Sequence, residues 1–94
     1  MVVMRQFVFD LYIAGHTFRS QQATRNMKEL CELYLADNYL LNIIDVLEDP
    51  QAAEKEKIIA TPTLVQRAPL SERRIIGAFS DRQAMLQALG LDNA

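Results

Sequence analysis

Apolar and polar positions in the first third of the chain follow two different periods. Large apolar residues occupy every second position from Phe7 to Ile13, which is the period of a β-strand, and Ala14-Gly15 ends that strand. Beyond Thr17 or Ser20, either of which can cap a helix, apolar residues recur every three or four positions. The apolar face of this helix comprises Ala23, Met27, Leu30, Cys31, Tyr34 and Leu35. The pattern therefore predicts a strand followed by an amphipathic helix.

The middle of the chain predicts a second strand and a short helix. Asp37-Asn38 breaks the first helix, and the mostly apolar run from Leu40 to Leu47 is typical of a strand covered on both faces. A strand, helix, strand order favours a right-handed parallel crossover. Asp49 is a good helix cap and Pro50 is tolerated at the first helical position. Because residues 50–59 are polar for most of their length, we expect this helix to be exposed.

The last third predicts a β-hairpin and a closing helix. Two strands are expected from Thr63 to Arg67 and from Arg73 to Phe79, joined by residues 68–72. Ser80 and Gln83 have the spacing of a capping box, which would open a helix running through Leu89, and Gly90 lies where a C-terminal cap is expected. The apolar face expected for this helix comprises Ala84, Met85, Ala88 and Leu89.

The complete element order is strand, helix, strand, helix, strand, strand, helix, in a single domain over residues 1–94. A parallel pair of strands followed by a hairpin, with helices on both faces, is the minimal thioredoxin-like α/β architecture.

Composition and charge narrow the function classes. Ten basic and twelve acidic side chains are interspersed, and the net charge of −2 leaves no electrostatic footprint for nucleic acid or an anionic membrane. No apolar run approaches the roughly 20 residues of a membrane span, and the first residues lack the pattern of a signal peptide. The one cysteine, Cys31, cannot form an intramolecular disulfide. We expect a soluble, cytoplasmic protein with neither a cofactor nor a metal site.

One turn has a counterpart in thiol-redox enzymes. Thioredoxin-like proteins often carry a cis-proline before the third strand, and the resemblance implies a cis bond at Thr61-Pro62. The matching C-x-x-C would lie between the first strand and the first helix, where the chain reads GHTFRS at positions 15–20. No cysteine is present there to act as the nucleophile of thiol exchange. The Thr61-Pro62 turn is therefore interpreted as a structural feature without a redox role.

Four blocks of sequence resemble the KaiB family, which comprises a circadian clock protein of cyanobacteria and its bacterial relatives. They read LYIAGHT at 11–17, IDVLEDPQAAE at 44–54, KIIATPTL at 57–64 and RRIIG at 73–77. The blocks cover most of the chain in order. Where the family usually has asparagine and proline, this chain has His16 and Phe18.

The resemblance implies a binding protein and not an enzyme. Family members bind a KaiC-type ATPase ring, and further implied partners are KaiA-like proteins, histidine kinases and other copies of the chain. The helix after the second strand faces the ATPase in the family, which implies partner-binding roles for Pro50, Gln51, Glu54, Lys57 and Ile58. The family is also metamorphic, with an alternative tetrameric fold. The strand pattern at 73–79 and the cap at Ser80 favour the thioredoxin-like form.

Two alternative functions are a sensor domain of a histidine kinase and a one-cysteine glutaredoxin-like reductase. A sensor domain would normally continue into a kinase, whereas this chain ends at Ala94. A reductase would need its cysteine at the start of the first helix, whereas Cys31 lies well inside it and is expected to be buried. His16 is expected to be a loop residue and not a metal ligand or general base. Asp10 and Asp45 are expected to be solvated or hydrogen-bonded, and not to form a catalytic carboxylate pair.

Overall fold

The computed structural model describes residues 6–69, 72–77 and 79–91, and the elements follow the predicted thioredoxin-like order. They are β1 (Phe7–Ile13), α1 (Phe18–Tyr34), β2 (Tyr39–Asp45), α2 (Pro50–Lys55), β3 (Thr63–Ala68), β4 (Arg73–Ile76) and α3 (Arg82–Ala88). Leu70, Ser71 and Ala78, which the predicted hairpin includes, lie outside the described residues. None of the helices in the described ranges is long and apolar enough to cross a membrane.

The strands form a four-stranded sheet in the order β2-β1-β3-β4. β1 runs parallel to β2, as the crossover predicted, and antiparallel to β3, which pairs antiparallel with β4. The expectation that the second strand is covered on both faces is wrong, because β2 is an edge strand without a single buried residue. Leu40 and Ile43 are 47% and 38% exposed. A mostly apolar run does not reveal on which side of the first strand it will pair, so the sequence could not show this edge.

The apolar core lies between one face of the sheet and helices α1 and α3. Phe9 and Leu11 of β1 and Leu64 of β3 are fully buried on this face. From the helices the core includes Ala23, Met27, Leu30, Cys31, Leu35, Met85, Leu86 and Leu89. The predicted apolar face of α1 is thus confirmed except for Tyr34, which is 46% exposed. The alternating apolar residues of β1 and the apolar face of α1 thus pack together in a single core.

The second helix is shorter than predicted. Asp49 caps it as expected, since its side chain accepts a hydrogen bond from the backbone N–H of Ala52. The helix ends at Lys55, however, and Lys57 has a φ of 55°, in the left-handed region that a continuing α-helix does not allow. Lys57 and Ile58 therefore lie beyond the helix, in the chain that leads to β3.

Two features of the last helix also differ from the prediction. The cap is Asp81 and not Ser80, because the Asp81 side chain accepts a hydrogen bond from the backbone N–H of Ala84 at 3.1 Å. The apolar face also differs, since Met85, Leu86 and Leu89 are buried whereas Ala84 and Ala88 are exposed. The strand before this helix is shorter than predicted. It ends at Ile76, because Gly77 has a φ of 138° and leaves the strand conformation.

Replacing Asp81 by alanine should lower the free energy of unfolding by about 1 kcal/mol, because the first turn of α3 loses its side-chain cap. Ser80→Ala is the matched control and should change the stability by less than about 0.5 kcal/mol. Urea unfolding followed by circular dichroism measures both values. The opposite ranking of the two variants would restore Ser80 as the cap.

Cys31 lies in the centre of the core with its side chain fully buried. Burial raises the pKa of its thiol to about 12, with a smaller contribution from the nearby Glu32 carboxylate. A thiol with this pKa is almost entirely protonated at neutral pH, and the thiolate is the reactive species. The expectation of a buried, structural cysteine is confirmed.

The thiol of the folded protein should therefore react with a disulfide reagent orders of magnitude more slowly at pH 8 than the thiol of the unfolded chain. The rate should rise to the unfolded value across the same denaturant range in which the circular dichroism is lost. Equal rates for the folded and unfolded protein would contradict the burial of Cys31.

Candidate docking site

The loop between β1 and α1 occupies the position at which a thioredoxin carries its cysteine pair. The buried Ser20 hydroxyl accepts a hydrogen bond from the Ala14 N–H at 3.1 Å and donates one to the Ala14 carbonyl oxygen. The Thr17 hydroxyl donates to the same Ser20 oxygen at 2.8 Å, and Thr17 also caps α1. Both hydroxyl groups are thus used to fix the loop, and no cysteine is present to react.

Asp45 fastens this loop from the neighbouring strand. One of its carboxylate oxygens accepts hydrogen bonds from the backbone N–H groups of Gly15 and Leu47, each at 3.0 Å. These two bonds hold the pKa of the Asp45 carboxyl below its usual value, with a further small contribution from His16. Gly15 has a φ of 62°, and a Cβ there would lie 3.1 Å from a methyl carbon of Leu47, so the approach is suited to glycine.

The structure does not bring Asp10 and Asp45 into one site. The Asp10 carboxylate is bound by the Asn42 amide at 3.0 Å and by the Arg67 guanidinium at 2.9 Å, whereas Asp45 is held by the loop. The two carboxylates were expected to be solvated or hydrogen-bonded, and both are hydrogen-bonded, at separate places in the fold.

His16 is an exposed residue of the β1–α1 turn, as predicted. It lines an open groove of about 460 Å³ between α1 and β2, together with Arg25, Lys28, Ile13 and Ile43. Among residues 6–69, 72–77 and 79–91 there is no group of three or more potential metal ligands.

The proline turn connects the segment after α2 to the hairpin. The Thr61–Pro62 bond is cis, the form that the resemblance implied. The Thr63 hydroxyl donates a hydrogen bond to the Ala60 carbonyl oxygen at 2.7 Å, and the Gly77 N–H donates to the Pro62 carbonyl oxygen at 3.0 Å. Both ends of the turn are thereby fixed, one locally and one to the end of β4.

The residues predicted to bind a partner share one surface-exposed stretch of chain. Pro50, Gln51 and Glu54 lie exposed on α2, Lys57 is exposed beyond the end of the helix, and Ile58 is half-buried. Helix α2 has no buried residue at all. The stretch from Pro50 to Ile59, called the docking segment below, is therefore left largely free for contact with another molecule.

Two apolar residues at this surface were not predicted. Ile59 is 91% exposed and Ile76, on β4, is 60% exposed. Both line a small cavity of about 160 Å³ with Lys57, Ile58, Thr63 and Arg74. The adjacent pair Ile58-Ile59 was the available signal, because two neighbouring apolar residues in an extended segment cannot both face the same core.

Comparisons with known proteins agree on a family. A sequence model described as the KaiB domain matches residues 10–91. The circadian clock protein KaiB3 of Synechocystis sp. is 49% identical over 89 residues, which cover 95% of this chain and 85% of that protein. The circadian clock oscillator protein KaiB of Synechococcus elongatus is 46% identical over 88 residues, which cover 94% and 84%.

Solved structures of low sequence identity share the fold. The N-terminal domain of Synechococcus elongatus SasA superposes with a TM-score of 0.74 at 21% identity, covering 100% of this chain and 92% of that domain. Chloroplastic thioredoxin z gives a TM-score of 0.75 at 18% identity, covering 95% of this chain and 80% of the other. The fold is thus thioredoxin-like, and the four sequence blocks, the match over residues 10–91 and the clock-protein relatives together show that this chain belongs to the KaiB family.

Proposed function

We propose that this chain is a clock-type regulatory protein that acts by docking on a KaiC-type ATPase ring through its docking segment. The observation that carries the proposal is the exposure of that segment in a chain of the KaiB family. The two relatives compared above are named as circadian clock proteins.

The chemistry of the surface supports a protein partner. Ile59 and Ile76 supply an exposed apolar centre, Lys57 lines the same cavity, and Glu54 is an exposed charge on α2. An apolar centre with a polar rim is the usual composition of a protein–protein interface, and a few central residues carry most of its binding energy. We therefore assign Ile59 as the apolar anchor and Lys57 as the principal charged contact, with Gln51, Pro50 and Ile58 beside them.

Three groups that an enzyme of this fold could use are engaged in the structure. The thiol of Cys31 is buried and protonated, and the hydroxyls of Thr17 and Ser20 bind the loop that carries them. Their engagement supports docking, with an effect on the activity or the other partners of the ring, over catalysis. KaiA-like proteins and histidine kinases are the further partners that such a regulator would recruit or exclude.

Lys57→Glu and Ile59→Ser should each weaken binding to a KaiC-type ATPase by about tenfold or more, because interface centres are sensitive to single substitutions. Neither variant should lower the melting temperature by more than a degree or two, since both side chains are exposed. Pull-down and size-exclusion chromatography with nucleotide present measure the binding.

Lys28→Glu is the matched control, because Lys28 is an exposed lysine on α1, outside the docking segment. It should bind like the wild type. If Lys57→Glu and Ile59→Ser also bind like the wild type, the docking segment is not the interface.

A further inference from the structure

Five charged side chains form a connected group on the face of the sheet opposite the apolar core. Arg67 pairs with Asp10, Glu56 and Glu72, while Arg74 pairs with Glu56 and Glu72. We call this group the Arg67 cluster. Arg67 also donates a hydrogen bond to the Tyr12 hydroxyl at 3.1 Å, and Asp10 accepts one from Asn42 at 3.0 Å. The cluster thus joins all four strands of the sheet to the residue that follows α2.

Arg67 lies on the same face of β3 as Val65, which opposes Asp10, and next to an irregularity in the sheet. The pairing of β1 with β3 shifts between Val8 and Phe9, so that Phe9 opposes Gln66 and Val8 opposes Ala68. Arg67 therefore has no residue opposite it in the backbone pairing of β3 with β1. An extra residue of this kind bends the strand and redirects its side chain, and here the guanidinium reaches Asp10 and Glu56.

Glu56 is held by both its side chain and its main chain. Its carboxylate pairs with Arg67, and its carbonyl oxygen accepts a hydrogen bond from the Arg74 guanidinium at 2.6 Å. The next residue, Lys57, adopts the left-handed conformation. Two arginines from the hairpin therefore fix the point at which the chain leaves α2 and turns into the exposed residues 57–59.

Apolar burial holds this part of the docking segment only weakly. Helix α2 has no buried residue, so apolar burial contributes little to its position. The side chains of Asp10, Glu56 and Arg67 are only 19–28% exposed, and ion pairs that are partly shielded from water and share members in a network are stronger than isolated surface pairs.

From this geometry we propose that Arg67 is a positioning residue for docking, which fastens Glu56 and thereby fixes how Lys57, Ile58 and Ile59 are presented to a partner. The inference rests on the proposed function for the identity of the partner, but the fastening itself can be measured in the isolated protein. Arg67 itself contacts Asp10, Tyr12, Glu56 and Glu72 and is not assigned to the partner surface.

Hydrogen exchange in the isolated protein tests the fastening. The Lys57 N–H donates to the Glu54 carbonyl oxygen at 3.1 Å and the Ile58 N–H to that of Ala53 at 2.9 Å. In Arg67→Met both amides should exchange about tenfold faster or more, because the turn they close loses one of its two attachments to the hairpin and keeps only the bond from Arg74. The Leu35 N–H, which is bonded to the Cys31 carbonyl oxygen in α1, should keep its exchange rate.

Two further variants separate positioning from a general loss of stability. Glu56→Gln removes the charge that Arg67 binds in the docking segment but leaves the Arg67–Asp10 pair, and it should reproduce the faster exchange even if Arg67→Met folds poorly. Arg82→Met breaks another arginine–glutamate pair, with Glu29 of α1, and should leave the Lys57 and Ile58 amides unchanged. Unchanged exchange at these amides in Glu56→Gln would overturn the inference.

Binding to the ATPase ring completes the test. Arg67→Met and Glu56→Gln should weaken binding by about tenfold while Arg82→Met binds normally, since a mobile segment must be ordered on binding. Faster exchange with unchanged ring binding would refute Arg67 as a positioning residue for docking. If the wild-type protein fails to bind the ring, the proposed function fails, and the exchange rates still decide whether Arg67 fastens the segment.

Discussion

The rest of the structure depends on one constraint: β1 must bury apolar side chains on one face and have its carboxylate paired on the other. The strand lies inside the sheet, with Phe9 and Leu11 turned into the apolar core and Asp10 and Tyr12 turned to the other face. A carboxylate on an interior strand is costly unless it is paired, and Arg67 supplies the pairing charge. The same guanidinium also binds Glu56. The arginine that neutralises Asp10 in the sheet therefore also attaches the docking segment to the sheet.

The chain has the fold of a thioredoxin, but its β1–α1 loop carries hydrogen-bonding side chains in place of the cysteine pair. In the loop that would carry reactive thiols, Ser20 and Asp45 accept hydrogen bonds from backbone N–H groups, and Thr17 donates one to Ser20. The cis-proline turn remains and joins the docking segment to the hairpin through the Pro62–Gly77 hydrogen bond. A shared fold does not transmit the redox activity, because function depends on the groups placed at the site.

The sequence predicted the elements whose signals are local. The alternation in β1, the helical period of α1 and the cap at Asp49 depend on neighbouring residues, and all three are confirmed. The exposed edge of β2 and the Arg67 cluster depend on strand order and register, which no short window of sequence contains. Ser80 and Asp81 are adjacent and either can cap a helix, and the local pattern predicted Ser80 where the structure has Asp81. For the candidate site, the family resemblance pointed to residues 50–58, but the exposure of Ile59 and Ile76 required the fold.

The claim that this protein works through a surface held by its sheet is tested most directly by mapping backbone NMR shifts during titration with a KaiC-type ATPase domain. Shift changes or broadening are expected to concentrate at residues 50–59 and at Ile76, with the core amides of α1 unaffected. Changes confined to other surfaces, such as the groove lined by Arg25 and Lys28, with residues 50–59 unperturbed, would contradict it.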